Sequence, residues 1–410
     1  MRRPKGAASR DRPRVLSPEA RRDMGLLFGA LAAFFLSVSM LVPTLPLYVR
    51  SLGGDPIEIG LVVGSFSLGV LIVRPWVGHA LDSRGRRPLL VLGSLVVALV
   101  SPLYIWLTAF GLLIAVRVVH GMGLSAFSGA STTLVTDLSP PHRRTEFLGY
   151  LSTSSILAFA LGPLVGIEIS ERWGYPTLFA AITACALASL ACGARISRPP
   201  QHLERSSRAD YRRAILRRDV LVPTTTLLLV TLAHGGLFAF IPILLEERVE
   251  FNFGLFFLSY AAASLVVRLA IGRIARLWGD GPLVWGGLAL YALGLATAPF
   301  VHDTLSMILP AVLLGVGFGA YQPAVYGIVA NAASDRTRGM VLSVFLAAFD
   351  TGMSLGGLVS GPIVAAYGIP SLILGLTVVP LLAAAVFVGG FGWTPAPCPP
   401  ALPEEARVPS

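Results

Sequence analysis

The sequence has few charged residues, few cysteines and almost no lysine. Charged side chains make up 13% of its 410 residues, well below the ~25% that is usual in soluble domains. The three cysteines, Cys185, Cys192 and Cys398, are too few for a disulfide framework, and no residue cluster suggests a metal site. Lys5 is the single lysine, so the Gly-xxxx-Gly-Lys-[Ser/Thr] phosphate loop is absent and we expect no ATP site. No cofactor is expected, and no nucleophile–base pair indicates an enzyme.

Long apolar runs separate the charged clusters, and hydrophobic residues make up 54% of the chain. The runs are roughly 18–25 residues long, which is enough to cross a hydrocarbon core as α-helices. Barrel strands would alternate apolar and polar residues, and these runs do not. The sequence therefore predicts an all-α integral membrane protein with twelve transmembrane helices in two six-helix bundles. The predicted spans are 24–49, 57–80, 88–108, 111–136, 146–170, 176–194, 221–244, 253–275, 282–300, 305–331, 339–366 and 370–392.

The distribution of Arg and Lys predicts the domains and their orientation. Eight lie in the N-terminal tail, eight in the central segment and ten in four short turns and the C-terminal tail, against Arg50, Arg172 and Arg248 on the other side. Basic residues concentrate on the cytoplasmic side of membrane proteins. Topology and anionic lipid thus account for the net charge of +10, and we expect no nucleic-acid partner. The predicted units are a cytoplasmic tail (1–23), a first bundle (24–194), a basic cytoplasmic linker (195–220), a second bundle (221–392) and a cytoplasmic tail (393–410).

The two bundles repeat each other in sequence. At least ten residue pairs are identical at the single offset of 194 positions, at equivalent places in the two halves. Two repeated six-span halves are the architecture of a two-bundle transporter. The pairs are Gly60/Gly254, Arg74/Arg268, Gly78/Gly272, Gly85/Gly279, Pro88/Pro282, Gly121/Gly315, Gly123/Gly317, Arg144/Arg338, Gly174/Gly368 and Pro176/Pro370.

A short charged turn, "GHALDSRGRRP", joins the second and third spans. Gly78 has no side chain, so a neighbouring helix could approach it closely. Asp82 lies beside Arg84 and Arg86, where ion pairing could fix the bend. The motif Gly78-xxx-Asp82-x-Arg84-Gly85-Arg86-Arg87 resembles the loop between the second and third helices of the major facilitator superfamily, and the resemblance extends over about residues 20–392.

The resemblance implies roles for several of these residues. It implies that Asp82, Arg84 and Asp137 form a latch on the cytoplasmic face, which breaks when the inside opens. The simpler alternative is that these charges only anchor the ends of the spans. The second copy, "GRIARLWGDGP", has Arg276 at the position of Asp82, so the latch would be degenerate in the second half.

Charged residues inside spans are costly and usually functional. In the fourth span, Arg117-x-x-x-Gly121-x-Gly123 resembles a family motif whose arginine is associated with proton coupling, and His120 can itself titrate near neutral pH. The alternative is a structural ion pair between Arg117 and Glu168 in the fifth span. Both interpretations stay open.

The fifth span contains Gly162-Pro163-xx-Gly166. It resembles, in part, the Gly-Pro motif of the exporter branch of the family, and Ala158 and Ile167 depart from that motif. Proline frees a backbone carbonyl, and small residues permit close packing. The motif favours export over import, although glycine–proline pairs also occur as plain kinks.

Asp350 lies about eleven residues into the eleventh span, near its middle, and its own helix carries no basic residue within two turns. Burial of a carboxylate without a counterion favours its neutral form. A carboxyl that gains and loses a proton as access alternates would couple transport to protons. The alternative is a permanently neutral acid that bridges to the tenth span.

The predicted cavity residues are polar or aromatic side chains within spans. Membrane serines often bond to their own helix backbone, and His234 beside two glycines could equally be a packing residue. The candidates are Tyr321, Gln322, Tyr326, Ser125, Ser128, Tyr150, Ser154 and His234.

We therefore expect a proton-coupled secondary transporter that exports a small organic molecule, such as a drug, metabolite or metallophore, across a bacterial-type cytoplasmic (inner) membrane. Its partners would be the substrate and membrane lipids, and it would act as a monomer. One alternative is an importer of a sugar or organic acid. Several arginines lining the cavity within the membrane would favour anionic substrates, and the sequence suggests Arg117 as the one such arginine. An alternative of another class is a scaffold or receptor that transports nothing.

Overall fold

A computed structural model describes residues 18–83, 85–140, 144–197, 216–333 and 338–391. Eleven of the described helices are long and apolar enough to cross a membrane. The chain is thus a multi-pass, all-helical membrane protein. The helices are α1 (Pro18–Ser51), α2 (Pro56–Ser83), α3 (Arg86–Val100), α4 (Leu103–Trp106), α5 (Phe110–Leu138), α6 (Arg144–Gly193), α7 (Arg218–Arg248), α8 (Gly254–Trp278), α9 (Asp280–Thr297), α10 (Ile308–Ala332), α11 (Arg338–Tyr367), α12 (Ile369–Leu376) and α13 (Val378–Phe391).

Helix α6 accounts for the difference between eleven long helices and twelve predicted spans. It has 50 residues and a sharp bend at Gly174, where φ is 80° and ψ is 168°. A left-handed φ favours glycine, so the chain turns there, and the two arms match the predicted fifth and sixth spans. The third span comprises α3 and α4, and the twelfth comprises α12 and α13. With these allowances the twelve-helix prediction is confirmed.

The helices extend past several predicted bounds. Helix α1 begins at Pro18, so the last six residues of the predicted tail are helical. Asp23 is buried there, and its Oδ2 accepts a hydrogen bond of 3.1 Å from the backbone amide of Ser197. Helix α7 begins at Arg218, inside the predicted linker. The remainder of that linker, 198–215, and the tail residues 1–17 and 392–410 lie outside the described residues.

The sequence repeat is also a repeat of backbone shape. Gly85 and Gly279, 194 positions apart, both precede a helix with φ of 91° and 80°. Gly174 and Gly368 share a φ of 80°. Four of the five glycines with positive φ in the described chain are thus two repeat-related pairs. The turn after the second span of each half, and the turn before its sixth, have the same geometry.

Packing between helices repeats in the same way. Gly121 on α5 faces the carbonyl of Phe66 on α2, and its repeat mate Gly315 on α10 faces the carbonyl of Tyr260 on α8. Phe66 and Tyr260 are themselves 194 positions apart. A side chain at either glycine would overlap the facing backbone, so glycine permits the close approach. The second and fourth spans of each half therefore pack through equivalent contacts.

The two halves meet where α1 ends and α2 begins, a region that we call the Arg50 end. Helix α2 packs on α11, α6 on α8 and α1 on α7. Gly60 lies against the backbone of Gly361. Arg50 on α1 forms ion pairs with Glu246 (3.4 Å) and Glu247 (2.9 Å) on α7. We call the opposite end, which contains the turn at Gly85, the Gly85 end.

Candidate functional site

A cavity of about 340 Å³ lies between the two halves. Helices α1, α2, α5 and α6 form its wall on one side, and α7, α8, α10 and α11 form the other. The wall is mainly apolar, so charges within it are poorly screened. Six phenylalanines contribute to it: Phe66, Phe159, Phe238, Phe257, Phe318 and Phe349.

Asp350 lines this cavity and forms an ion pair with Arg74 of α2. The side chains of Asp350 and Arg74 are 13% and 26% exposed. The sequence predicted that Asp350 has no cationic neighbour. This is true of residues on α11 itself, but it is wrong for the folded protein, because α2 brings Arg74 from the other half. The alternative of a bridge to the tenth span is also wrong, since the partner lies on α2. This ion pair joins the two halves beside the cavity, which Asp350 lines.

Arg117 lines the same cavity and is 6% exposed. Its guanidinium carbon lies 4.3 Å from the centroid of the Phe66 ring, a cation–π contact. The suggested ion pair with Glu168 is not formed, because α6 directs Glu168 elsewhere. That carboxylate pairs with Arg172 and accepts a hydrogen bond of 3.1 Å from the amide of Asn252.

His120 lies one turn beyond Arg117 on α5 and is fully buried. Its Nδ1 lies 3.4 Å from the hydroxyl of Tyr104, and its ring packs edge-on against Phe66. His120 is absent from the lining of the cavity described here. The structure therefore groups His120 with Arg117 around Phe66, away from Asp350.

A second arginine of the cavity wall, Arg268 on α8, is the repeat mate of Arg74. Its guanidinium donates to the side-chain carbonyl of Gln322 at 2.7 Å and to the hydroxyl of Ser264 at 3.4 Å. The position that corresponds to Asp350 in the first half is Ile156, which also lines the cavity. The expectation that Arg117 is the one arginine available within the membrane is therefore wrong.

Sequence reasoning missed the roles of Arg74 and Arg268. Both were visible as a matched pair in the repeat, inside otherwise apolar spans. That signal, an arginine at the same depth in each half, could have placed them in a site between the halves.

The predicted cavity residues fall into three groups. His234 lines the cavity, with its Nδ1 2.8 Å from the hydroxyl of Tyr291. Gln322 does not line the cavity itself and accepts a hydrogen bond from Arg268, which does. The others do not line it: Ser128 and Ser154 bond to carbonyls of their own helices, Ser125 and Tyr321 are buried elsewhere, and Tyr150 and Tyr326 are partly exposed and pack on phenylalanines.

The charged turn contains one described ion pair. Arg86 at the start of α3 lies 2.9 Å from Asp137 at the end of α5. The expected latch partners Asp82 and Arg84 have no described side chains. Gly78 is exposed, and no described atom lies within 4 Å of the position that a Cβ would take. Among the described residues, no helix therefore packs closely against Gly78.

The motif of the fifth span packs against α1. A Cβ on Gly162 would overlap Ser39, and one on Gly166 would overlap the backbone of Met40. The Ser39 hydroxyl donates to the carbonyl of Ala158 at 2.8 Å. Pro163 lines the cavity. The small residues thus bring α1 and α6 together, while the proline lies at the cavity wall.

The comparisons with known proteins agree with this architecture. Residues 27–304 and 249–410 match the family model described as Major Facilitator Superfamily. The chain belongs to that family.

Individual relatives share less than a third of their residues with this chain over the aligned regions. The chain is 28% identical to the quinolone resistance protein NorA of Staphylococcus aureus over 154 residues, which are 37% of this chain and 40% of NorA. It is 23% identical over 344 residues to the staphylopine export protein of Staphylococcus aureus (strain Mu50), or 80% of this chain and 86% of that protein.

Solved structures share the fold. A bacterial homolog of the human lysosomal transporter Spinster, in an inward-facing and occupied conformation, superposes with a TM-score of 0.76 at 15% identity, covering 91% of this chain and 97% of that one. The nucleoside transporter NupG gives a TM-score of 0.75 at 15% identity, covering 92% and 100%.

Proposed function

We propose that this protein is a proton-coupled transporter that exports a small organic molecule by alternating access. The observation that carries the proposal is the Arg74–Asp350 ion pair, which joins the two halves through a carboxyl group that lines the central cavity. A carboxylate at such a position can be protonated, and its ion pair with the arginine is then broken. Protonation changes the contact between the halves and the charge of the cavity in one step.

The proposed coupling follows from the chemistry of the pair. Arginine keeps its charge in proteins, so the titrating partner is Asp350. When Asp350 is ionised, the pair holds α2 to α11. When a proton neutralises Asp350, the electrostatic attraction is lost and the halves can separate at this point. The rival proton carrier is His120, which lies with Arg117 around Phe66 in a second buried group.

The direction of transport is supported by three observations. The relatives named above are a resistance protein and an export protein. The excess of Arg and Lys on one side favours a cytoplasmic location for the Gly85 end. The contacts at Gly60 and the ion pairs of Arg50 join the halves at the other end, so this conformation is suited to taking substrate from the cytoplasm. The distribution of Arg and Lys also favours cytoplasmic termini, and we propose an inner-membrane protein that acts as a monomer surrounded by lipid.

The test is uphill transport in inverted membrane vesicles with an imposed pH gradient. A panel should contain a quinolone, a sugar and a metallophore. Export predicts accumulation of at least one compound inside inverted vesicles when their lumen is acidic, and loss of that accumulation when an ionophore collapses the gradient. Accumulation only in right-side-out vesicles would indicate the importer. Failure of every compound to move in either orientation would favour a scaffold or receptor.

A further inference from the structure

The cavity contains more positive charge than its carboxylate can balance. Its described lining includes Arg117, Arg268 and Asp350, and Asp350 is already paired with Arg74. No described ion pair involves Arg117 or Arg268. Each half therefore presents one arginine to the cavity without a carboxylate partner.

Arg117 is incompletely satisfied where it lies. Its Nε and Nη1 are buried and have no hydrogen-bond partner among the described residues. A guanidinium has five N–H donors, and burial of a charged group without partners is costly. Phe66 offsets part of that cost through the cation–π contact. Two donor nitrogens remain, and the side chain lines the cavity.

Arg268 is held in place and keeps its charge uncompensated. Its described hydrogen-bond partners are a neutral amide and a neutral hydroxyl, Gln322 and Ser264. Such bonds orient a guanidinium while leaving its charge available for a ligand. Arginine forms strong paired hydrogen bonds with carboxylates, and a low-dielectric wall strengthens them.

We propose that the substrate is an organic anion, with an apolar and preferably aromatic body and at least one carboxylate that binds Arg117 or Arg268. The phenylalanine-rich wall would hold the body, and the volume of about 340 Å³ lies at the small end of the range for drug-sized ligands. This inference rests on the proposed function only in taking the cavity as the substrate site.

The experiment measures binding to the purified full chain in detergent. The probes are 2-naphthoate, naphthalene-2,6-dicarboxylate and 2-naphthamide, which share one aromatic body, together with the cationic dye rhodamine 123. Binding is followed by ligand-induced thermal stabilisation and by tryptophan fluorescence. Both carboxylates should bind at least roughly tenfold more tightly than the amide, and the dicarboxylate should bind more tightly than the monocarboxylate.

Two variants locate the contact. Arg117→Gln or Arg268→Gln, whichever arginine holds the carboxylate, should weaken carboxylate binding by roughly tenfold to a hundredfold and leave amide binding unchanged. Arg117→Lys and Arg268→Lys should retain part of the preference, which a folding defect would not. Arg273→Gln is the matched control, because Arg273 lies on the same helix α8 and is exposed outside the cavity.

The proposal is overturned if the amide or the cation binds as tightly as the carboxylates, if no carboxylate binds, or if the preference survives in both glutamine variants. Its failure is separable from failure of the proposed function. Proton-driven export of rhodamine 123 without carboxylate binding would refute the anion site alone. Carboxylate binding without uphill export would refute the coupling alone.

Discussion

Substitution of Arg74 and substitution of Asp350 should lower the stability of the protein by different amounts. Arg74→Gln leaves a carboxylate that can take up a proton, whereas Asp350→Asn leaves a guanidinium that stays charged. Loss of one partner from a fully buried pair costs about 3–5 kcal/mol. The side chains of Arg74 and Asp350 are 26% and 13% exposed, so solvent screens part of the charge left behind. We therefore expect Asp350→Asn to lower the free energy of unfolding by about 2–3 kcal/mol.

The cost of Arg74→Gln should be smaller and should depend on pH. As the pH falls from about 8 to about 5, protonation of Asp350 removes its uncompensated charge, so the variant should regain stability. Asp350→Asn has no such group, so its own stability should show no comparable gain as the pH falls. The double variant Arg74→Gln/Asp350→Asn should be more stable than Asp350→Asn alone, with a coupling energy of about 1–2 kcal/mol.

Thermal unfolding in detergent, at both pH values, provides the assay for all four proteins. The reasoning would be refuted by strictly additive losses in the double variant. It would also be refuted if Arg74→Gln and Asp350→Asn showed the same dependence on pH, because the pair would then contribute no charge coupling.

Three further predictions concern other parts of the molecule. Asp137→Asn removes a largely buried ion pair with the start of α3 and should lower the transport turnover while the amount of protein in the membrane stays the same. Normal turnover would mean that the charges of the turn only anchor the ends of the helices. Gly121→Ala should cost about 1–3 kcal/mol through overlap with the α2 backbone, whereas Gly286→Ala, which has open space, should be nearly neutral in the same unfolding assay. Arg50→Ala should change the free energy of unfolding by less than about 1 kcal/mol. It should nevertheless increase the labelling of a cysteine introduced at Leu45 by an impermeant thiol reagent added from the Arg50 end. Unchanged labelling would mean that the ion pairs of Arg50 do not close that end.

The fold was largely accessible from the sequence, and the reasons are physical. Apolar runs of span length leave helices as the available structure in lipid. The 194-residue repeat anticipated the shared geometry of Gly85 and Gly279, because a positive φ restricts the residue type at a turn. The bend at Gly174 was anticipated as a break between spans, but the helix continues through it, since no polar loop is needed when glycine makes the turn.

The site was less accessible, because it is formed by contacts between the halves. The periodicity of α11 places Asp350 at mid-span, but nothing local indicates that α2 brings Arg74 to it. The predicted serines illustrate the same limit, since Ser128 and Ser154 bond to their own helices. His234 was predicted as a polar side chain within a span, with helix packing as an equal alternative, and it lines the cavity.

The central claim is that the coupled proton passes through Asp350. Asp350→Asn keeps the size of the side chain and removes its titration, and His120→Gln is the matched control on the rival site in α5. The measurement is uphill transport in inverted vesicles under an imposed pH gradient, with binding measured in parallel on the same preparations. We predict that Asp350→Asn binds substrate but does not concentrate it, while His120→Gln does both. Accumulation by Asp350→Asn together with its loss in His120→Gln would place the proton on α5 and contradict the claim.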